Sequence, residues 1–161
     1  MLGDEKCFEA SLKHYDEVFI SIGDAKIREE KFSRLDNFSI KPTSLISPFS
    51  IVSTSVRPGI GSLIVQGAIV NADTKIGSGA IINTGSCVDH DCEIQNFVHI
   101  APGCVVSGNV ILRERVWLGT GSTVIQNIEI GSDTFVGAGS NVVRNLPDNA
   151  MAYGNPATIR A

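Results

Sequence analysis

The sequence predicts a mostly β fold, a parallel β-helix of six-residue repeats, from an aliphatic residue at every sixth position, a small residue four places later, and glycines placed between. Written in rows of six from Ile46 to Pro147, the first column runs through Ile64, Val70, Ile76 and Ile82 to Val142, and sixteen of its seventeen members are aliphatic. The fifth column, from Ser50 to Leu146, holds Ala, Ser, Thr or Cys at eleven of seventeen places. A register of six over 102 residues fits neither the 3.6-residue period of a helix nor the turn pairs of a hairpin meander. It fits short β-branched strands that turn a corner every six residues. Twelve of the sixteen glycines fall in the second or fourth columns, where corners need a positive φ or a close approach of backbones. Three rows make one coil of eighteen residues, and successive coils stack at roughly 4.8 Å.

The repeat assigns residues 45–148 to this β-helix. Before it, residues 1–44 read as a piece of an α/β unit: Val18 to Ile22 as a buried strand, Gly23-Asp24 as a turn with Asp24 as N-cap, and Ala25 to Leu35 as a helix. The charges Lys26, Arg28, Glu29, Glu30 and Lys31 are expected on a solvated helix face. After it, residues 149–161, with Gly154-Asn155-Pro156, read as a turn and tail that cannot continue the repeat.

Composition narrows the classes of function. A chain of 161 residues buries about 70% of its unfolded surface, enough for a true core. Thirteen Lys and Arg against seventeen Asp and Glu, with no basic run, argue against nucleic acid as a partner. No apolar stretch is long enough for a membrane span or a signal peptide, so a cytoplasmic protein is expected. Cys7, Cys87, Cys92 and Cys104 form no C-x-x-C pair and no zinc spacing, which favours free thiols.

The run INTGSCVDHDCEIQNFVHIAPGCVVSGNV, ending at Val110, closely resembles the bacterial nucleotide-sugar acetyltransferases. That group includes the bacillosamine and perosamine N-acetyltransferases and the sialic acid O-acetyltransferases. The likeness extends through VNADTKIGSG before it and VGAGSNVVRNLPDNAMAYGNPA after it. The resemblance implies a left-handed β-helix of hexapeptide repeats, a homotrimer with active sites between chains, acetyl-CoA as co-substrate with no metal, and a nucleotide-linked amino sugar as acceptor. Family members usually begin with a nucleotide-binding α/β domain carrying a glycine-rich turn. The start of this chain, MLGDEKCFEASLKHYDEVFISIGDAKIR, matches only the later part of that domain, so residues 1–44 read as a truncated version of it.

Moving an acetyl group from a thioester to an amine needs a base for the amine proton and a donor for the oxyanion. His90 and Gly108 share the third column one coil apart, and Gly108 is the one glycine in the repeat outside the two corner columns. The resemblance gives His90 the role of general base and Gly108 that of oxyanion donor. Asp91 is placed to orient the imidazole. The resemblance also puts His99 near the acetyl group, Asn83 near the sugar, and coenzyme contacts on backbone at Gly119, Thr120, Gly137 and Ala138. His99 lies half a coil from His90, so only a neighbouring chain brings the two together. Cys92 falls in the small core column and is expected to be inert. Trp117, in the sixth column, is expected at an interface between chains.

Other readings stay open at this level. O-acetylation of a sugar hydroxyl would use the same base and donor. A non-catalytic scaffold is the rival from another class, against which the register of His90 with Gly108 speaks. A zinc enzyme of the carbonic-anhydrase type needs three histidines per metal, whereas His14 lies outside the repeat that carries His90 and His99.

Overall fold

A computed structural model describes residues 11, 12 and 14–160. Its core is a β-solenoid of about six turns with three faces, each a stack of two-residue parallel strands. The first face runs from Leu45–Ile46 through Ile81–Ile82, His99–Ile100 and Trp117–Leu118 to Phe135–Val136. The second runs from Ile51–Val52 through Cys87–Val88 and Val105–Val106 to Asn141–Val142. The third holds Lys75–Ile76, Glu93–Ile94, Ile111–Leu112 and Glu129–Ile130. Register follows the repeat, with Ile81 opposite His99 and His99 opposite Trp117.

Each strand of the repeat ends on a first-column residue, and from Ile64 to Val142 that column is buried throughout. The fifth column from Val56 to Leu146 is buried as well. A large side chain therefore meets a small one across each corner, which fills the narrow triangular interior. The small polar members are tied off by coil carbonyls: Thr74 donates to Asp89 at 2.7 Å and Thr134 to Pro147 at 2.7 Å. Ile46, expected in the core, is instead 49% exposed because no coil lies beneath it.

The corners explain the glycines. Every fourth-column residue from Gly61 to Gly139 has positive φ, seven of them glycine and seven not. Asp and Asn tolerate this conformation better than other side chains and occupy five of those seven. Phe97 and Arg115 are the exceptions, and each has partners that hold it there. Second-column glycines answer a different need. A Cβ on Gly119 would lie 2.5 Å from the amide nitrogen of Ala138 on the next coil.

Residues 18–44 pack on the corner between the third and first faces. Asp24 caps the helix Ala25–Asp36 by accepting from the Ile27 N–H at 2.9 Å. Phe32 and Leu35 bury against Phe97, with the Phe32 and Phe97 rings edge to face at 5.1 Å. Two expectations fail here. Val18 to Ile22 forms no strand, and of its five residues only Ile20 is buried. Arg28 does not face solvent: it is 1% exposed and donates to the carbonyls of Ile22, Gly23, Gly79 and Phe97. A helix on a sheet corner needs its polar contacts from backbone, and Arg28 supplies donors for four carbonyls at once. Glu29 leaves the expected solvated face too, pairing with Arg115 at 3.2 Å.

The stretch expected as a terminal turn also differs. Met151–Tyr153 continues the first face in parallel with Phe135–Val136, and Thr158–Ile159 folds back antiparallel upon it. Ala152 takes an inward position and is fully buried, so the core column is extended by a residue outside the six-residue register. Cys87, Cys92 and Cys104 are free thiols, while Cys7 lies outside the described residues.

Candidate active site

The corner between the second and third faces carries His90, Asp91 and Gly108. Cys87–Val88 leads into Asp89, whose carboxylate accepts from the His90 backbone N–H at 2.9 Å and from the Asn71 amide at 2.9 Å one coil below. This fixes the backbone from which the imidazole projects. Asp91 adopts φ 58°, and that turn brings its Oδ2 to 2.8 Å from His90 Nδ1. A carboxylate can only accept, so Nδ1 carries a hydrogen, and in the neutral ring Nε2 is the nitrogen with the lone pair. The Asp91 bond, helped by the charge of Asp89, raises the His90 pKa above the usual histidine value. The Asn71 amide and the His90 N–H hold the Asp89 pKa down.

Gly108 lies against this ring. A Cβ there would sit 2.8 Å from His90 Cε1 and 3.0 Å from Nε2, so the bare α-carbon is what lets the imidazole cross the next coil. The Gly108 carbonyl accepts from the Asn127 N–H at 3.2 Å, but its own N–H donates to no acceptor among the described residues. The imidazole and a residue whose N–H has no partner among the described residues therefore meet at one corner, where His90 is exposed. Gly108→Ala is expected to leave the fold intact, because the clash falls on an exposed, movable ring, and to slow turnover roughly tenfold or more by turning Nε2 aside. Circular dichroism with initial rates checks both halves.

The remaining candidates lie elsewhere. Asn83, Ala101, Gly119 and Gly137 succeed one another at intervals of eighteen on the corner between the first and second faces, with Thr120 and Ala138 beside the last two. The Thr120 carbonyl accepts from Gly139 N–H at 2.8 Å, and Gly137 has the Tyr153 ring where a side chain would go. His99 begins its strand on the first face, is 7% exposed, and packs on Trp117 with ring centroids 4.1 Å apart. Its Nε2 is 3.3 Å from the Asn83 amide nitrogen and its Nδ1 3.3 Å from the Gly23 carbonyl oxygen. Burial lowers its pKa, the Gly23 bond opposing and the charge of Arg28 adding. Asn83 thus partners His99 and not His90.

Cys92 points inward and is buried, its thiol donating to Ser107 O at 3.2 Å, and burial pushes its pKa up. It is no nucleophile. The sequence alone did not reveal Gly23 and Arg28 beside His99, nor the Trp117, Phe135 and Tyr153 rings that continue the His99 stack along the first face. Among the described residues no group of three His, Cys, Asp or Glu side chains is placed to hold a metal ion, and no helix is long and apolar enough to cross a membrane.

No protein-family model matches the chain, and no curated protein is significantly similar to it. Solved structures are. A His-to-Asn variant of perosamine N-acetyltransferase from Caulobacter crescentus, in complex with CoA and GDP-perosamine, aligns at TM-score 0.96 and 38% identity over 100% of this chain and 77% of that one. The acetyltransferase domain of PglB from Neisseria gonorrhoeae FA1090 aligns at TM-score 0.95 and 34% identity, covering 99% and 78%. WeeI from Acinetobacter baumannii AYE aligns at 0.86 and 29%, covering 91% and 72%. This chain belongs to the hexapeptide-repeat nucleotide-sugar acetyltransferases and is an acetyl-CoA-dependent acyltransferase.

Proposed function

We propose that the protein moves the acetyl group of acetyl-CoA to the amino group of a nucleotide-linked amino sugar, with His90 as general base, as a homotrimer in the cytoplasm. The observation that carries this reading is the Asp91–His90–Gly108 arrangement, in which the ring is oriented by a 2.8 Å bond and lies against the bare α-carbon of Gly108, a residue whose N–H has no partner among the described residues. The amine nitrogen attacks the acetyl carbon while its proton passes to His90 Nε2. Charge developing on the acetyl oxygen is met by the Gly108 N–H. The C–S bond then breaks, and the proton on His90 goes to the departing thiolate, so the base is restored.

The crevice for acetyl-CoA would be lined by Gly119, Thr120, Gly137 and Ala138, where small residues leave backbone groups within reach of a pantetheine chain. These residues and Asn83 stand on a different corner of the prism from His90, with the second face between them. One chain therefore offers two half-sites, and a neighbouring copy joins them. Light scattering at micromolar concentration should give three times the 17.1 kDa chain mass; a monomer would count against the shared site.

Acceptor choice is tested by thiol release with a panel of nucleotide-linked amino sugars and their hydroxyl counterparts, the product analysed by mass spectrometry. Acetylated amine is expected, and acetylation of the hydroxyl sugars alone would overturn the reading. The reaction needs neutral His90, so its rate should rise with pH through the His90 ionisation. Because Asp91 stabilises the charged imidazole, Asp91→Asn should lower that pKa and move the rise to lower pH. Its rate at the plateau should fall about tenfold, since the ring is less often correctly turned. An unmoved limb in Asp91→Asn would separate Asp91 from the base.

A further inference from the structure

We propose that Arg28 is a positioning residue for the active site: through the Gly23 carbonyl it holds His99 as the neutral Nδ1–H tautomer, with Nε2 an acceptor for the Asn83 amide. The tautomer follows from geometry alone, and its effect on catalysis rests on the acetyl-transfer reading above.

The orientation of Asn83 is fixed first. Its Oδ1 accepts from the Thr84 backbone N–H at 2.8 Å and lies 3.3 Å from the Thr84 hydroxyl, so the NH2 group is the end turned to His99. A donor thus faces Nε2 at 3.3 Å, and Nε2 must keep its lone pair. At the other edge Nδ1 faces the Gly23 carbonyl, an acceptor, at 3.3 Å and must carry the hydrogen. Both edges demand the same tautomer, and a proton on Nε2 would set donor against donor.

Arg28 holds the carbonyl that makes this choice. Its Nη1 donates to Gly23 O at 2.6 Å and Ile22 O at 2.8 Å, Nε to Gly79 O at 2.8 Å, and Nη2 to Phe97 O at 2.7 Å. The first two carbonyls belong to the N-terminal segment and the last two to the solenoid corner, so one guanidinium sets the distance between them. A lysine has the charge but not the fork. His99 is otherwise enclosed by Ile81 and Trp117 on the neighbouring strands, and the charged group acting on it is Arg28, whose sign opposes protonation. With both ring nitrogens engaged, the second amide hydrogen of Asn83 is left for a ligand. The N-terminal segment is therefore part of the site without touching the reacting atoms.

The test is nitrogen NMR on the histidine-labelled full chain from about pH 5 to 8, with His99 assigned by its loss in His99→Gln. His99 should remain in the neutral Nδ1–H form while His90 titrates. Asn83→Asp replaces the donor by an acceptor, so His99 should gain an Nε2 proton and titrate above the usual histidine range. Arg28→Lys should give mixed His99 tautomers and about a fivefold lower kcat, with the His90 limb of the pH profile unmoved. Were Arg28→Lys not to fold, the wild type and Asn83→Asp decide. An Nε2–H tautomer in the wild type, an unchanged His99 in Asn83→Asp, or a wild-type tautomer in folded Arg28→Lys overturns the inference. Failure to find an acceptor sugar leaves these spectra intact and bears on the proposed function instead.

Discussion

His90→Ala is expected to lower turnover about 10²- to 10⁴-fold while leaving acetyl-CoA affinity nearly unchanged. The imidazole projects from the corner after Cys87–Val88, whereas the residues assigned to the coenzyme stand one corner away. Removing the ring deletes no contact that holds the coenzyme, and it uncovers Gly108 to solvent. Binding and chemistry should therefore separate. The pH-dependent rise in rate should also vanish, because no imidazole is left at this corner to titrate. Stopped-time assays with saturating acceptor, together with calorimetric titration of CoA, read both quantities. Wild-type turnover in this variant would remove His90 from the reaction and leave the acyltransferase without an identified base.

Ile100→Asp should prevent folding altogether. Ile100 is fully buried between Ile82 and Leu118 in the first-column stack, and its strand pairs with a neighbour on each side. A carboxylate there meets no donor and no water. The penalty for an unpaired buried charge is several kcal/mol, comparable with the roughly 5–15 kcal/mol that holds a domain of this size together. Neutralising the acid by protonation reduces the cost but still leaves a polar group in an aliphatic column. Insoluble or protease-sensitive protein is the expected outcome. A folded, soluble variant with wild-type melting behaviour would mean that the inward column had been misidentified.

The solenoid was legible because its period is written directly into side-chain size: Ile64, Ile82, Ile100 and Leu118 must all point inward if any of them does. The pairing of His90 with Gly108 was legible for the same reason, since eighteen residues is one coil. What stayed hidden depends on contacts between distant segments. Nothing local marks Arg28 as different from Lys26 or Lys31, yet Arg28 turns inward and meets the carbonyls of Gly79 and Phe97. Val18 to Ile22 has the composition of a strand, but composition does not supply a partner edge. Phe97 looks misplaced in a column of Gly, Asn and Asp until Phe32 is seen against it. Met151–Tyr153 breaks the six-residue count by Asn145 to Ala150 and still lands beside Phe135, because inter-strand hydrogen bonds constrain position and not number. The outward row Ile81, His99, Trp117, Phe135 could have been read at eighteen-residue spacing as a stripe of ring-bearing and apolar side chains.

If reaction occurs where the His90 ring crosses Gly108, both substrates must meet there, and a crystal structure with CoA and a nucleotide-linked amino sugar shows whether they do. The acceptor amine is expected within about 3.2 Å of His90 Nε2, and the thioester end of the coenzyme beside the Gly108 N–H. An amine seated beside Asn83 of the same chain, with His90 turned to solvent, would contradict it.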